Sequence, residues 1–122
     1  MQEAPPSRSA LVQTFLATWE LFPEPVSLLE RNRSIVAANA LGRKFGMVQG
    51  AKCHSLNPET HGNPCRQCRA NEALDKRQAV ISRTQFQGQE IESYWIPLPD
   101  SDDYYIHFGI GVKAIAEQMA GK

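Results

Sequence analysis

The spacing of apolar residues predicts an N-terminal helix followed by short strands. In the first part of the chain apolar side chains recur every three or four positions, which places them on one helical face: Leu11, Phe15, Trp19 and Phe22. We expect this helix to span residues 9–21 and to stop before Pro23 and Pro25, because proline cannot continue a helical hydrogen-bond ladder. Its apolar face needs cover from the sheet or from a partner, and we predict a dimer contact.

The next segment has the pattern of a hairpin followed by a short helix. Residues 26–30 and 34–38 are apolar runs separated by the polar turn 31–33, and they predict two short strands. Asn39 is well placed to cap a helix over residues 40–45, which Gly46 can end.

The second half of the chain predicts one more helix, three long strands and an exiting helix. A modest apolar face indicates a helix over residues 65–76. Alternating residues then predict strands at 79–86, 90–98 and 104–112, and residues 113–122 can begin a helix. This order favours the α+β class, with one five-stranded antiparallel sheet and the helical segment over one face.

Composition and charge exclude several classes of function. The chain has 122 residues, and 13 basic residues balance 13 acidic ones, so it lacks the positive field of a nucleic-acid-binding protein. No apolar run is long enough to span a membrane, and residues 1–6 do not resemble a signal peptide, so we expect a cytoplasmic location without membrane insertion. We predict a lead-in and flanking helix at 1–22, one domain at 23–115 and the start of a linker helix at 116–122.

The middle of the chain concentrates the residues that carry metal or redox chemistry. All three cysteines and two of the three histidines lie between positions 53 and 68. Cys65 and Cys68 can bind one metal from a single turn, and Cys53 can close the site. His61 is a better fourth ligand than His54. His54 is adjacent to Cys53, and neighbouring side chains on an extended backbone point apart. This set predicts a zinc site of three cysteines and one histidine.

Other chemistries for this cluster are weaker, and one alternative stays open. An iron–sulfur cluster is possible, although the spacing matches neither common ferredoxin pattern. Covalent haem attachment needs a histidine where the chain has Arg69, and a thioredoxin-like role needs a βαβ unit that is absent from the predicted order. The alternative is that Cys65 and Cys68 are ordinary thiols at the start of a helix or form a disulfide.

The order of elements, with Asn39 ending the second strand, resembles a PAS domain from Phe22 to Ile115. The middle segment resembles a bacterial sensory subset of these domains, which carries Gly, Cys, His-Gly and Pro-Cys-x-x-Cys in this order. The matching residues are Gly50, Cys53, His61-Gly62 and Pro64 to Cys68. The chain departs from the usual pattern in a longer loop before His61, and in residues 112–115, which replace a common Asp-Ile-Thr signature.

The resemblance implies a regulatory module rather than an enzyme. Such domains occur mostly in histidine kinases of two-component systems, where they sense a small ligand, a redox state or a metal and act on an output domain, often as homodimers. Four residues are candidates to line a ligand pocket: Phe45, Phe86, Trp95 and His107. For His107 a hydrogen bond within the sheet is the competing interpretation. The alternative function is an interaction or dimerisation module whose loop is held by structural zinc; a thiol redox enzyme is the weakest hypothesis.

Overall fold

The fold is known from a computed structural model that describes residues 7–52, 68–86, 88–99 and 101–120, without the side chains of 86, 119 and 120. Its elements are α1 Arg8–Trp19, β1 Val26–Glu30, β2 Ile35–Ala38, α2 Ala40–Lys44, α3 Ala70–Lys76, β3 Val80–Phe86, β4 Gln89–Pro97, β5 Tyr104–Ile110 and α4 Val112–Ala120. The strands form one antiparallel sheet in the order β2-β1-β5-β4-β3. The predicted α+β fold class is confirmed. Within the described ranges, no helix has the length and apolarity to cross a membrane.

The N-terminal helix packs on the sheet of its own chain. The Ser7 side chain caps α1 by accepting from the amide of Ala10 at 3.1 Å. Phe15, at the centre of the predicted stripe, is only 4% exposed. The helix ends at Trp19, so the prediction that it reaches Leu21 was wrong. Phe22 lies in the turn after it, where its ring still contacts Phe108 of β5 at 5.0 Å between centroids.

Each face of the sheet carries its own hydrophobic cluster. The α1-side cluster consists of Phe15, Val26, Leu28, Val36, Ala37, Ile106 and Phe108. The α3-side cluster consists of Leu29, Ile35, Ala70, Ala73, Leu74, Trp95 and Tyr105. The alternation of β5 explains this division, because successive residues of a strand point to opposite faces. The described helices therefore cover both faces, whereas the sequence predicted helical cover over one face and a dimer contact for the N-terminal helix.

Asn39 connects three parts of the fold through its side chain. It is fully buried, and its Oδ1 accepts from the amide of Gly42 at 2.8 Å, as predicted for the cap of α2. The same oxygen accepts from the amide of Val26 at 3.0 Å. Its amide nitrogen donates to the carbonyls of Phe22 and Glu24 at 3.2 and 2.9 Å. One side chain thus binds the end of β2 and the start of α2 to the segment that leads into β1.

Two further predicted boundaries are wrong, and the second has an identifiable cause. Helix α3 begins at Ala70 rather than at residue 65, so Cys68 and Arg69 precede it. Strand β5 ends at Ile110 rather than at Val112, because Gly111 takes a positive φ of 103° that interrupts the extended backbone. Helix α4 consequently begins at Val112, one residue before the start of the predicted exiting helix at 113.

Candidate functional site

Two predicted pocket residues lie together on the α3 side of the sheet. Trp95 of β4 and His107 of β5 are partners in the antiparallel register, so their side chains leave the same face. Their rings stack at 4.9 Å between centroids, with 16° between the planes. Trp95 is 4% exposed and belongs to the α3-side cluster. The pair therefore forms a stacked aromatic layer on the α3 side of the sheet.

The environment of His107 favours a neutral ring. Its Nδ1 lies 2.8 Å from the carbonyl oxygen of Tyr94; because a carbonyl can only accept, this nitrogen carries the proton. Burial lowers the pKa of His107, and the positive charge of Arg33 lowers it further, while the bond to Tyr94 opposes both. The neutral ring keeps the lone pair of Nε2 as an acceptor. The hydrogen bond within the sheet, which was the competing interpretation of His107, is therefore present.

The lowered pKa predicts a loss of stability in mild acid. An unfolded histidine has a pKa of about 6.5, so the unfolded chain takes up this proton first as the pH falls. The stability that neutral His107 contributes to the folded state is fully present above about pH 6.5, and it is lost as the pH falls through the folded-state pKa. We expect urea unfolding at about pH 5.5 and 7.5 to show a smaller pH dependence in His107→Gln than in the parent protein. Equal pH dependence in the two proteins would contradict this account.

Of the other two predicted pocket residues, Phe45 is not part of this arrangement, and the side chain of Phe86 is not described. Phe45 follows α2, where the ammonium of Lys44 lies 5.6 Å from the centre of its ring, and it belongs to neither hydrophobic cluster. Phe86 is the last residue of β3 and pairs in register with Gln89, but its side chain lies outside the described part of the chain. The described residues therefore bring Trp95 and His107 together and leave Phe45 apart from them, and the place of Phe86 in the pocket stays a prediction.

Most of the predicted metal cluster lies outside the described residues. This applies to Cys53, His61 and Cys65. Cys68 is half-buried and packs against the α3-side cluster. Within residues 7–52 and 68–120, gaps excepted, no three histidine, cysteine or acidic side chains are grouped as metal ligands would be. The zinc site and its iron–sulfur alternative remain predictions, and the structure adds that Cys68 contacts the core.

A carboxylate joins the start of the sheet to the exiting helix. Glu24 lies between α1 and β1, and its two oxygens accept from the amides of Gly111 and Lys113 at 3.0 and 2.9 Å. The first amides of a helix have no partner within the helix, and a negative charge there is favourable. Glu24 therefore caps α4 from a position close to the end of α1. Sequence reasoning missed this residue, because 87 positions separate it from Gly111.

A buried arginine was also missed. Arg33 lies in the polar turn between β1 and β2, which predicts a solvated side chain, yet it is only 8% exposed. Its backbone has a positive φ of 75°, which is unusual for a residue other than glycine. No local signal distinguishes Arg33 from its neighbour Arg31, so its burial is a property of the tertiary structure.

Comparison with solved structures identifies the architecture. The chain matches a sensory box sensor histidine kinase from Vibrio cholerae with a TM-score of 0.58 and 17% identity, over 88% of this chain and 97% of the other. It matches the PAS domain of BvgS from Bordetella pertussis with a TM-score of 0.53 and 14% identity, over 81% and 82%. It also matches the photoactive yellow protein domain of the sensor histidine kinase Ppr from Rhodospirillum centenum, with a TM-score of 0.53 and 13% identity, over 80% and 95%.

These matches establish the fold of the chain. Its five-stranded antiparallel sheet and the helices around it have the PAS architecture, as the resemblance implied. No family model matches the chain, and a search of curated proteins found no match. At these identities the likeness concerns the fold and carries no ligand or activity with it.

Proposed function

We propose that this chain is a sensory PAS module that passes the state of a bound ligand, a metal or its thiols to an output domain of a bacterial signalling protein. The observation that carries the proposal is the pair of hydrogen bonds that the amides of Gly111 and Lys113, at the start of α4, donate to the carboxylate of Glu24. It ties the helix that leaves the domain to the segment between α1 and the sheet. A change in the packing of the sheet can thereby alter the position of the exiting helix.

The described contacts supply a route from the cysteine segment to that junction. Cys68 packs against the cluster that contains Trp95 and Tyr105. Tyr105 is part of β5, which leads through Gly111 directly into α4. A change in the coordination or oxidation of Cys68 would act on the same layer of side chains that supports the last strand.

The proposed metal is zinc, held by Cys53, His61, Cys65 and Cys68. Thiolate and imidazole are the ligands that zinc prefers in structural sites, and the half-buried position of Cys68 suits a thiolate that is partly shielded from water. Bound zinc would supply a fixed tetrahedral link between the segment and the core. An iron–sulfur cluster on the same cysteines would instead make the segment itself redox-active.

A homodimer in the cytoplasm, acting on a fused output domain, completes the proposal. The residues assigned to the dimer, Leu11, Phe15, Trp19 and Phe22, all pack on the α1-side cluster of the same chain. A dimer that uses α1 must therefore form through the outer surface of the helix. The second candidate is an interaction module with a static zinc-held loop, which the packing of Cys68 against the core also favours.

The test compares hydrogen exchange in α4 between two states of the cluster. Protein purified without oxygen or affinity-tag metals is analysed for metal, and exchange at Gly111 and Lys113 is measured before and after chelation or thiol oxidation. We expect one equivalent of metal and a change of about tenfold in exchange at these amides on its removal. In Glu24→Gln, which weakens the cap, exchange is faster in both states and the difference between them shrinks. Metal retention with identical α4 exchange in both states would favour the static module.

A further inference from the structure

A surface groove beside the β1–β2 turn contains a buried positive charge. The groove has a volume of about 690 Å³ and is lined by the turn, by Asn71 of α3 and by Asp103 and Tyr104 at the start of β5. Arg33 lines the groove as well, although it is only 8% exposed. A guanidinium is always charged, and burying it is unfavourable unless a partner compensates.

The neighbours of Arg33 satisfy only part of its guanidinium group. Its Nη1 donates to the carbonyl of Arg31 and, at 3.3 Å, to the side-chain oxygen of Asn71. Its Nε is buried and has no hydrogen-bond partner among the described residues. None of the ion pairs between described residues includes Arg33. Both acceptors that it contacts are neutral, so the buried charge is uncompensated there.

The other charges of the groove are largely paired elsewhere. Glu30 forms an ion pair with Arg8. Arg31 pairs with Asp75 at 2.9 Å and also donates to the backbone carbonyl of Asp102. Asp103 opposes the binding of an anion, but it is exposed, so water and salt screen its charge. Arg33 is therefore the cation of this groove that is buried without a carboxylate partner in the described part of the chain.

We propose that this groove binds a small oxyanion, a carboxylate or a phosphate, through the guanidinium group of Arg33, which lines the groove. The planar guanidinium presents paired N–H groups that match two oxygens of such an anion. Asn71 and the turn hold the group through Nη1, which fixes its orientation. The charge of Arg33 also acts on His107. An anion bound to Arg33 would therefore change the electrostatic environment of the His107 ring. The test of this site is independent of the proposed signalling, because anion binding is measured at Arg33 and signalling is measured by hydrogen exchange in α4.

The test is a nuclear magnetic resonance titration with malonate, inorganic phosphate and chloride at constant ionic strength. We expect malonate or phosphate to shift the Nε–H resonance of Arg33 and the ring resonances of His107 with saturation, and chloride to produce neither effect. Tighter binding of malonate would indicate a carboxylate ligand, and tighter binding of phosphate a phosphorylated one. Absence of saturable binding of both at about 10 mM, far weaker than a specific pocket gives, would overturn the proposal.

Two arginine variants decide whether Arg33 makes the site. Arg33→Gln should weaken binding about tenfold or more, because hydrogen bonds to a charged group are lost. Arg77→Gln is the matched control: Arg77 also has a positive φ, of 54°, but it is exposed and pairs with Asp102, so its loss should change affinity less than about twofold. If the Gln variant does not fold, Arg33→Lys retains the charge without the planar fork and should also weaken binding about tenfold. Unchanged affinity in a folded Arg33 variant would overturn the proposal.

Discussion

Replacing Asn39 with alanine is expected to lower the free energy of unfolding by about 3–5 kcal/mol. The side chain makes four hydrogen bonds to backbone groups, and the residue is fully buried. Alanine leaves the amides of Val26 and Gly42 and two carbonyls without this partner in a region that water reaches poorly. An unsatisfied buried polar group costs about 1–3 kcal/mol, and partial relaxation keeps the total below the sum of four.

Urea unfolding monitored by tryptophan fluorescence measures this effect, and Asn32→Ala is the matched control. Asn32 is also an asparagine that accepts from a backbone amide, that of Ser34 at 2.9 Å, but it lies exposed in the β1–β2 turn. Water can replace its bond, so the control should lose less than about 1 kcal/mol. Similar losses in the two variants would show that Asn39 does not hold the junction together.

Replacing Phe15 with alanine is expected to destabilise the protein by about 3–5 kcal/mol at every protein concentration. Phe15 is 4% exposed and packs in the α1-side cluster of its own chain, so its removal leaves a cavity within the subunit. The unfolding midpoint of a chain stabilised by dimerisation through this stripe would instead rise with protein concentration.

Unfolding curves over an approximately hundredfold range of concentration separate these cases. Leu21→Ala is the control, because Leu21 follows the same helix but is 91% exposed. Its replacement should change stability by less than about 0.5 kcal/mol. If the Phe15 variant instead shifted the oligomeric state and left the stability of the monomer unchanged, α1 would be the dimer helix that the sequence predicted.

The elements of the fold could be predicted because their signals are local. The hairpin of β1 and β2, the cap of α2 by Asn39 and the three long strands depend on side-chain alternation and turn residues within a few positions. The boundaries at Trp19, Ala70 and Ile110 could not be predicted as reliably, since each depends on a contact or a backbone angle at the end of an element. Val112 alternates like a strand residue, yet it is in α4 because Gly111 turns the chain and Glu24 caps the helix.

The sequence by itself determined the order of elements, the α+β class and the concentration of cysteine and histidine between positions 53 and 68. Only the tertiary structure decided which residues of different elements meet in the described part of the chain. The register of β4 and β5 stacks Trp95 on His107, the buried Arg33 donates to Asn71 of α3, and the turn at Gly111 brings the start of α4 to Glu24. Local patterns reflect the chemistry of neighbouring residues, whereas the contacts of Arg33 with Asn71 and of Glu24 with Gly111 join positions 38 and 87 apart in sequence, where alternation and spacing carry no information.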